Sequence, residues 1–306
     1  MIELSQLVLP HGITLSCRSS GEKGRPVLVF LHGFPEAAFV WDDLLQHFAK
    51  LENGGYRCIA PNLRGFEQSS APTDVSAYRP KHLVQDIAAL ITLEGGPIEC
   101  LVAHDWGGAV AWNLAASQPQ LVKKLAIINS PHPGTFLREL QHSPTQQAAS
   151  AYMNFLIRPD AEKLLAEDDF RRLFEFFMPF SSMKVNSGDT KGPRIAPDWL
   201  TSEVRAQYRS VWQAGLTGPL NFYRASPLRP GPDIAKLVIP RELLQVHLRT
   251  LVLWGMGDIA LPPGLLDGLA DYVPQMQLER IDGATHWIIH EQPALVAAHL
   301  QRFMQS

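Results

Sequence analysis

Cysteine is scarce in this chain. Cys17, Cys58 and Cys100 are three in number and far apart, which suits neither a disulfide framework nor a metal-ligand pair. Each lies in an apolar, strand-like stretch where a free thiol packs as a small hydrophobe, so a reducing cytoplasm is the expected setting. Long apolar runs are missing too. Stretches such as VLVFL at 27–31 fall far short of the roughly 20 residues that span a bilayer, and no membrane association is expected. The opening MIELSQLVLPHG has neither the basic region nor the long apolar region of a secretory signal. Neither sign of charge dominates: 27 Lys and Arg stand against 30 Asp and Glu, for a formal net charge of −3. That balance gives no footing to a nucleic-acid partner. No glycine-rich phosphate loop, dinucleotide fingerprint, metal-ligand cluster or internal repeat is visible, so neither a cofactor nor a metal is expected.

What is present is a globular composition. The 306 residues are 46% hydrophobic and 19% charged, enough to bury a sizeable core in one large domain or a domain with an insertion. Short apolar runs at 14–19, 26–32, 56–62, 98–104, 125–130, 248–255 and 276–282 read as strands. Helical patterns fill 38–50, 80–92, 107–118, 262–272 and 291–304. The first two extended runs are expected to pair antiparallel around His11-Gly12. The others, near-continuously apolar and separated by helices, imply a mainly parallel sheet covered on both faces. The alternation stops between about 131 and 245, where every pattern is helical. The Ser-, Gly- and Pro-rich stretch 181–198 reads as a mobile connection. The expected organisation is an α/β core of 1–130 and 246–306, interrupted by a helical cap of 131–245.

The chemistry gathers at strand ends, where open α/β sheets bind ligands. In LVAHDWGGAV (101–110), Asp105 is flanked by Ala103 two residues before and Gly107 two after. That is the small-x-nucleophile-x-small frame of a sharp strand-to-helix turn that pushes one side chain outward. His32-Gly33-Phe34-Pro35 follows the 26–32 run as a tight turn in which a cis Phe34–Pro35 bond is admissible. That turn would aim the Phe34 N–H toward the space above Asp105, with the Trp106 N–H as the second donor of an oxyanion hole. Asp258 follows LVLWGMG, and His286 sits in IDGATHWII. Nucleophile, acid and histidine thus follow one another at three candidate strand ends.

HGFPE (32–36), RGFEQSSAP (64–72), HDWGG (104–108), LWGMGD (253–258) and GATHW (283–287) together resemble the epoxide hydrolase group of the α/β-hydrolases, and the resemblance covers essentially the whole chain. It implies an α/β-hydrolase fold with a mainly parallel eight-stranded sheet and a helical cap after the sixth strand. It also implies Asp105 as nucleophile, Asp258 as the acid orienting His286, and a lid formed by the insertion. A carboxylate at the turn suits attack at saturated carbon, because it needs no proton removed and leaves an alkyl ester that activated water can hydrolyse. Opening an epoxide also calls for a proton donor at the ring oxygen. Tyr152 in SAYMNFLIRP and Tyr223 in GPLNFYR lie in segments that resemble those carrying the family's ring-opening tyrosines. Tyr208 in RAQYRS is a weaker candidate, read as solvated or packing.

His32, Pro35, Trp106 and Trp287 are expected to line the pocket, and an apolar epoxide and water are the expected reactants. Arg64 is read as fixing a loop, His104 as structural and His132 as a hinge contact. The aromatic run 170–180 is read as lid core that also walls the pocket. A monomer or homodimer is expected. Haloalkane dehalogenases share the fold and nucleophile, but one subgroup places an Asn where Phe34 stands, and the lid tryptophans Trp199 and Trp212 match no halide-binding context. Fluoroacetate dehalogenases carry arginines where Trp106 and Ala109 stand. A non-catalytic ligand receptor on the same scaffold is the remaining alternative, and turnover distinguishes it.

Overall fold

A computed structural model describes residues 1–178 and 195–306. Eight strands form one sheet: β1 (Glu3–Val8), β2 (Thr14–Ser20), β3 (Val27–Leu31), β4 (Arg57–Pro61), β5 (Ile98–His104), β6 (Val122–Ile128), β7 (Arg249–Gly255) and β8 (Met276–Ile281). Their spatial order is β1-β2-β4-β3-β5-β6-β7-β8. β1 pairs antiparallel with β2, and β2 antiparallel with β4; every later pairing is parallel. The chain reverses direction across the sheet between β4 and β5, both of which flank β3, and such a switch point opens a crevice at the carboxyl ends of the strands.

The pleat splits the core into two layers. Leu28 and Phe30 of β3 face a cluster with Trp41, Phe48, Leu300 and Phe303, while Val29 and Leu31 face the opposite one with Ile87, Val110 and Leu114. The first layer is covered by α1 (Asp42–Ala49) and the C-terminal helix Pro293–Gln305. The second is covered by α2 (Pro80–Leu93) and α3 (Asp105–Ser117). Because both faces of the inner strands are covered, their sequences lack the alternation that a half-exposed strand would show. Among the described residues, no helix is long and apolar enough to cross a membrane.

Between β6 and β7 lie α4 (Pro133–His142), α5 (Pro144–Ala149), α6 (Tyr152–Leu156), α7 (Ala161–Phe176), α8 (Ser202–Gln213) and α9 (Thr217–Ala225). α7 is two helices joined at Glu167–Phe170, where Asp168, Asp169 and Phe170 have φ of 53°, 56° and 60°. His132 ties the two ends of this excursion together. Its Nδ1 accepts from the Gly134 N–H at the start of α4, so its Nε2 carries the proton donated to the Leu244 carbonyl at 2.9 Å. Burial lowers its pKa to about 4, which keeps the ring neutral for both bonds.

Some expectations shift. The helix read over 262–272 is instead two 3₁₀ turns, Pro263–Leu266 and Leu269–Asp271, separated by Gly268 at φ 66°. The runs 14–19 and 26–32 do not pair; the antiparallel partner of β2 across His11-Gly12 is β1, an edge strand exposed along most of its length that carries little of the apolar signal marking the other strands. The connection expected over 181–198 lies mostly outside the described residues.

Candidate active site

Asp105 begins α3 directly after β5, with φ of 48°. This left-handed turn lifts its side chain above the sheet edge, and the α3 N-terminus adds favourable dipole for a carboxylate there. The close packing requires glycine on both sides of the turn. A Cβ at Gly33 would overlap the Asp105 side chain, and one at Gly107 would overlap the Leu31 and His32 carbonyls. Ser130 Oγ–H donates to the Asp105 carbonyl at 2.7 Å and steadies the turn from the end of β6.

The Phe34 N–H donates to Asp105 Oδ1 at 2.8 Å, and the Phe34–Pro35 peptide is cis. The other carboxylate oxygen, Oδ2, stands 3.7 Å from His286 Nε2. His286 follows β8, and its Nδ1 meets Asp258 Oδ2 at 2.7 Å. Asp258 is almost fully buried, and each of its oxygens is shared. Oδ1 accepts from the Ala260 and Leu261 N–H groups, both at 2.9 Å; Oδ2 also accepts from Asn129 Nδ2 at 2.8 Å. Burial disfavours a charge on His286, but the charge and hydrogen bond of Asp258, followed by the charge of Asp105, outweigh it and raise its pKa to about 9. Three strand ends therefore bring a carboxylate, an imidazole and a second carboxylate into one line.

Tyr152, at the start of α6, and Tyr223, in α9, line a cavity of about 440 Å³ together with Asp105 and His286. Their rings meet edge to face at 6.2 Å. Burial pushes both phenols well above their ordinary range, and the charge of Asp105 adds to it. Both therefore keep their protons. Phe34, Phe155, Phe176 and Trp287 supply most of the apolar wall. A second cavity of about 280 Å³ shares Asp105, Tyr152 and Tyr223 and is lined by Trp106, Val110, Phe136 and Leu228 among others. The two spaces meet at the carboxylate and the tyrosine pair.

A family model for the α/β hydrolase fold matches residues 26–293. The chain is 34% identical over 310 residues to AB hydrolase superfamily protein YfhM of Bacillus subtilis (strain 168), covering 98% of each. It is 32% identical to Epoxide hydrolase 3 of Xenopus tropicalis across 96% of this chain and 75% of that relative. The chain belongs to the epoxide hydrolase group of the α/β-hydrolase fold family. A solved epoxide hydrolase from metagenomes of hot environments superposes with a TM-score of 0.82 at 33% identity, over 99% of both chains. The epoxide hydrolase of Bacillus megaterium, in complex with an inhibitor, gives 0.82 at 27%, over 99% of this chain and 100% of that one.

Within this α/β-hydrolase, the residues expected to form the pocket divide. Trp287 lines the larger cavity, with its indole N–H on the Phe176 carbonyl at 3.1 Å. Trp106 lines the smaller one and packs edge to face on Tyr223 at 5.1 Å. His32 and Pro35 line neither cavity. His32 is fully buried below the turn, where Nε2 accepts from the Leu63 N–H at 3.0 Å and Nδ1 meets the Gly33 carbonyl. Pro35 turns away, with its carbonyl accepting from Trp212 Nε1 at 2.7 Å. Both shape the hydrolase's Phe34 turn from behind because the tight Gly33–Phe34 bend directs neighbouring groups into the core.

Several polar groups around the site have partners that no motif in the sequence announces. Asn129, at φ 39°, holds Asp258 and accepts from the Gly255 N–H at 2.8 Å. Glu36 is fully buried. Its Oε1 accepts from Tyr208 Oη–H at 2.9 Å and meets His290 Nε2 at 2.6 Å; its Oε2 meets His104 Nδ1 at 3.2 Å. His104 Nε2 in turn meets the His286 carbonyl at 2.9 Å. Burial opposes the charge of Glu36, but His290 and His104 hold its carboxyl well below the usual carboxylate range. A signal did exist: Glu36 is the one Asp, Glu, Lys or Arg between 26 and 41, an isolated charge in an apolar stretch that calls for partners. Tyr208, read as solvated or packing, is a fully buried member of this network. Arg64 holds its loop through a bidentate pair with Asp86, at 2.7 and 2.6 Å.

Proposed function

We propose that this hydrolase converts an epoxide and water to a vicinal diol in two steps, through an ester on Asp105. With Oδ1 held by the Phe34 N–H, Oδ2 attacks an epoxide carbon. As that C–O bond breaks, the electron pair goes to the ring oxygen, which takes a proton from Tyr152 or Tyr223. The product is a hydroxyalkyl ester. Esterification removes the Asp105 charge that helps hold a proton on His286. The neutral His286 Nε2 then removes a proton from water, whose oxygen adds to the Asp105 carboxyl carbon, while Asp258 holds the imidazole in its working tautomer. The Phe34 and Trp106 amides stabilise the tetrahedral oxyanion. Collapse releases the diol as His286 returns its proton to the departing alkoxide. The second proton of the water, left on the Asp105 carboxyl, passes to the tyrosinate and restores both carboxylate and phenol.

The observation that carries this reading is the tyrosine pair lining one cavity with Asp105, both phenols kept protonated by burial. An alkoxide leaving group needs such a donor; a halide does not. The dehalogenase reading needs a lid indole N–H for the halide, whereas Trp212 gives its own to the Pro35 carbonyl and neither Trp199 nor Trp212 lines the two cavities that share Asp105. The names of the relatives and solved neighbours support the epoxide reading. Residues 131–245 act as the cap, since α6 and α9 carry the two tyrosines. The apolar walls suit an aryl or alkyl epoxide, and three buried free thiols suit a reducing compartment.

Steady-state assays with styrene oxide and 1-bromobutane, measuring diol and bromide separately, test the reading. Diol without bromide is expected. Bromide without diol would overturn it in favour of a dehalogenase, and binding without either product would favour a receptor.

A further inference from the structure

Two side chains of α8 reach out of the insertion and into the core directly behind the Phe34 turn. Trp212 Nε1–H donates to the Pro35 carbonyl at 2.7 Å, and Tyr208 Oη–H donates to Glu36 Oε1 at 2.9 Å. The two rings lie one turn apart on the helix and stack at 5.4 Å and 20°; both pack against Phe177. Each donor is buried, so losing its acceptor would leave an unpaired polar group in an apolar setting. α8 is thereby registered on two consecutive residues, Pro35 and Glu36, that adjoin the amide holding Asp105 Oδ1.

The contact continues past the turn. Glu36 joins α8 to His290 and to His104, and His104 meets the carbonyl of His286. One helix of the insertion therefore bears on both the Phe34 N–H and the backbone of His286. In the mechanism proposed above, on which this inference rests, the Phe34 N–H holds Oδ1 in both steps. Negative charge leaves the carboxylate during alkylation but builds on the oxyanion during hydrolysis, so the donor is needed most in the second step, where His286 also acts as the base. The groups that make and break bonds in the first step, Asp105 Oδ2 and the tyrosine hydroxyls, have no hydrogen bond to α8 among those the structure records.

We infer that Tyr208 and Trp212 are positioning residues for ester hydrolysis: the seating of α8 on Pro35 and Glu36 sets the oxyanion donor and the base for the second step, and leaves alkylation of Asp105 largely untouched. Removing one hydroxyl or one indole N–H should then slow hydrolysis about tenfold, the scale of one well-placed hydrogen bond. When hydrolysis alone slows in a two-step reaction, kcat and KM fall together and kcat/KM stays constant.

The test uses Tyr208→Phe and Trp212→Phe, each of which keeps an aromatic ring in the stack, with styrene oxide as substrate and rapid-quench intact-mass detection of the ester. His286→Gln serves as the control that traps the ester. Expected is a roughly tenfold parallel fall in kcat and KM, unchanged kcat/KM, and ester accumulating in the steady state. A fall in kcat/KM matching that in kcat, with no ester, would overturn the inference and reduce α8 to general packing. Unchanged kinetics would overturn it as well. If Tyr208→Phe folds poorly, Trp212→Phe carries the same readout. Ester in His286→Gln but not in the α8 variants rejects this inference alone; no ester even in an alkylation-competent His286→Gln enzyme rejects the two-step mechanism beneath it.

Discussion

Phe34 donates its backbone N–H to Asp105 Oδ1 at 2.8 Å, while Asp105 Oδ2 stands 3.7 Å from His286 Nε2. The two oxygens of one carboxylate thus have different neighbours. One is held where an oxyanion would form, and the other lies beside the imidazole at the cavity where a substrate carbon would arrive. A serine at the same turn would offer a single oxygen carrying a proton.

Asp105→Ala should abolish diol formation, because the proposed reaction begins with attack by its Oδ2. His286→Gln should still be alkylated but lose the base. Turnover should fall about 10²–10⁴-fold, the usual range for a lost general base, and the intact protein should gain the mass of one substrate molecule. Absence of that adduct, in an enzyme that still consumes epoxide, would refute the ester.

The tyrosine pair makes a graded prediction. Tyr152→Phe or Tyr223→Phe alone leaves one phenol to protonate the ring oxygen, so activity should drop and survive. The double variant should lose about 10²–10⁴-fold or more in the alkylation rate, read by single-turnover ester formation. Full activity in the double variant would remove both residues from the mechanism.

The pH dependence of stability has a definite sign. The pKa of His286 is raised from 6.5 to about 9 in the folded chain, with Asp258 and Asp105 overcoming burial. Its contribution to stability is therefore fully present below pH 6.5 and is lost as pH rises toward 9. The melting temperature of the wild type should fall across that window more steeply than that of His286→Gln. Asp105→Ala, which removes one supporting charge, should lower the pKa of His286 as followed by NMR of its ring.

Asn129→Ala should cost stability and activity together. It leaves the buried Gly255 N–H without its acceptor and takes one donor from Asp258 Oδ2. A loss of about 1–3 kcal/mol is expected for a buried group left unpaired, measured by denaturant unfolding, with kcat reduced because Asp258 is less firmly held. Stability and kcat both equal to the wild type would count against this role.

Gly33→Ala should be worse tolerated than its size suggests. The added methyl meets the Asp105 side chain itself, so relieving the overlap displaces the Asp105 carboxylate. Turnover should fall further than thermal stability does, and a normal kcat would show that the turn has more room than its geometry implies.

The inner sheet was legible from local pattern alone. Strands β3, β5 and β7 are buried on both faces, so their sequences are continuously apolar and stand out at short range. The elbow was legible for a similar reason: Ala103 and Gly107 lie two residues either side of Asp105, whereas the demand on Gly33 arises only where packing brings its turn against the Asp105 side chain. The order of Asp105, Asp258 and His286 could be read because each follows a strand, and parallel strands bring their ends to one edge. β1 and the 262–272 segment were misjudged where that local signal fails, at an exposed edge and around a left-handed Gly268.

Composition, periodicity and motif spacing by themselves determined the α/β fold class and the placing of Asp105, Asp258 and His286 after successive strands, since these depend on near neighbours and on which strands are apolar. Tertiary structure alone decided that His32 and Pro35 brace the Phe34 turn instead of lining the cavity, that Asn129 holds Asp258, and that Glu36 collects Tyr208, His290 and His104 in the interior. Those relationships join residues up to 254 positions apart. A buried polar group must find a partner, but nothing in its local sequence says which one, because the partner is chosen only when packing brings distant elements together.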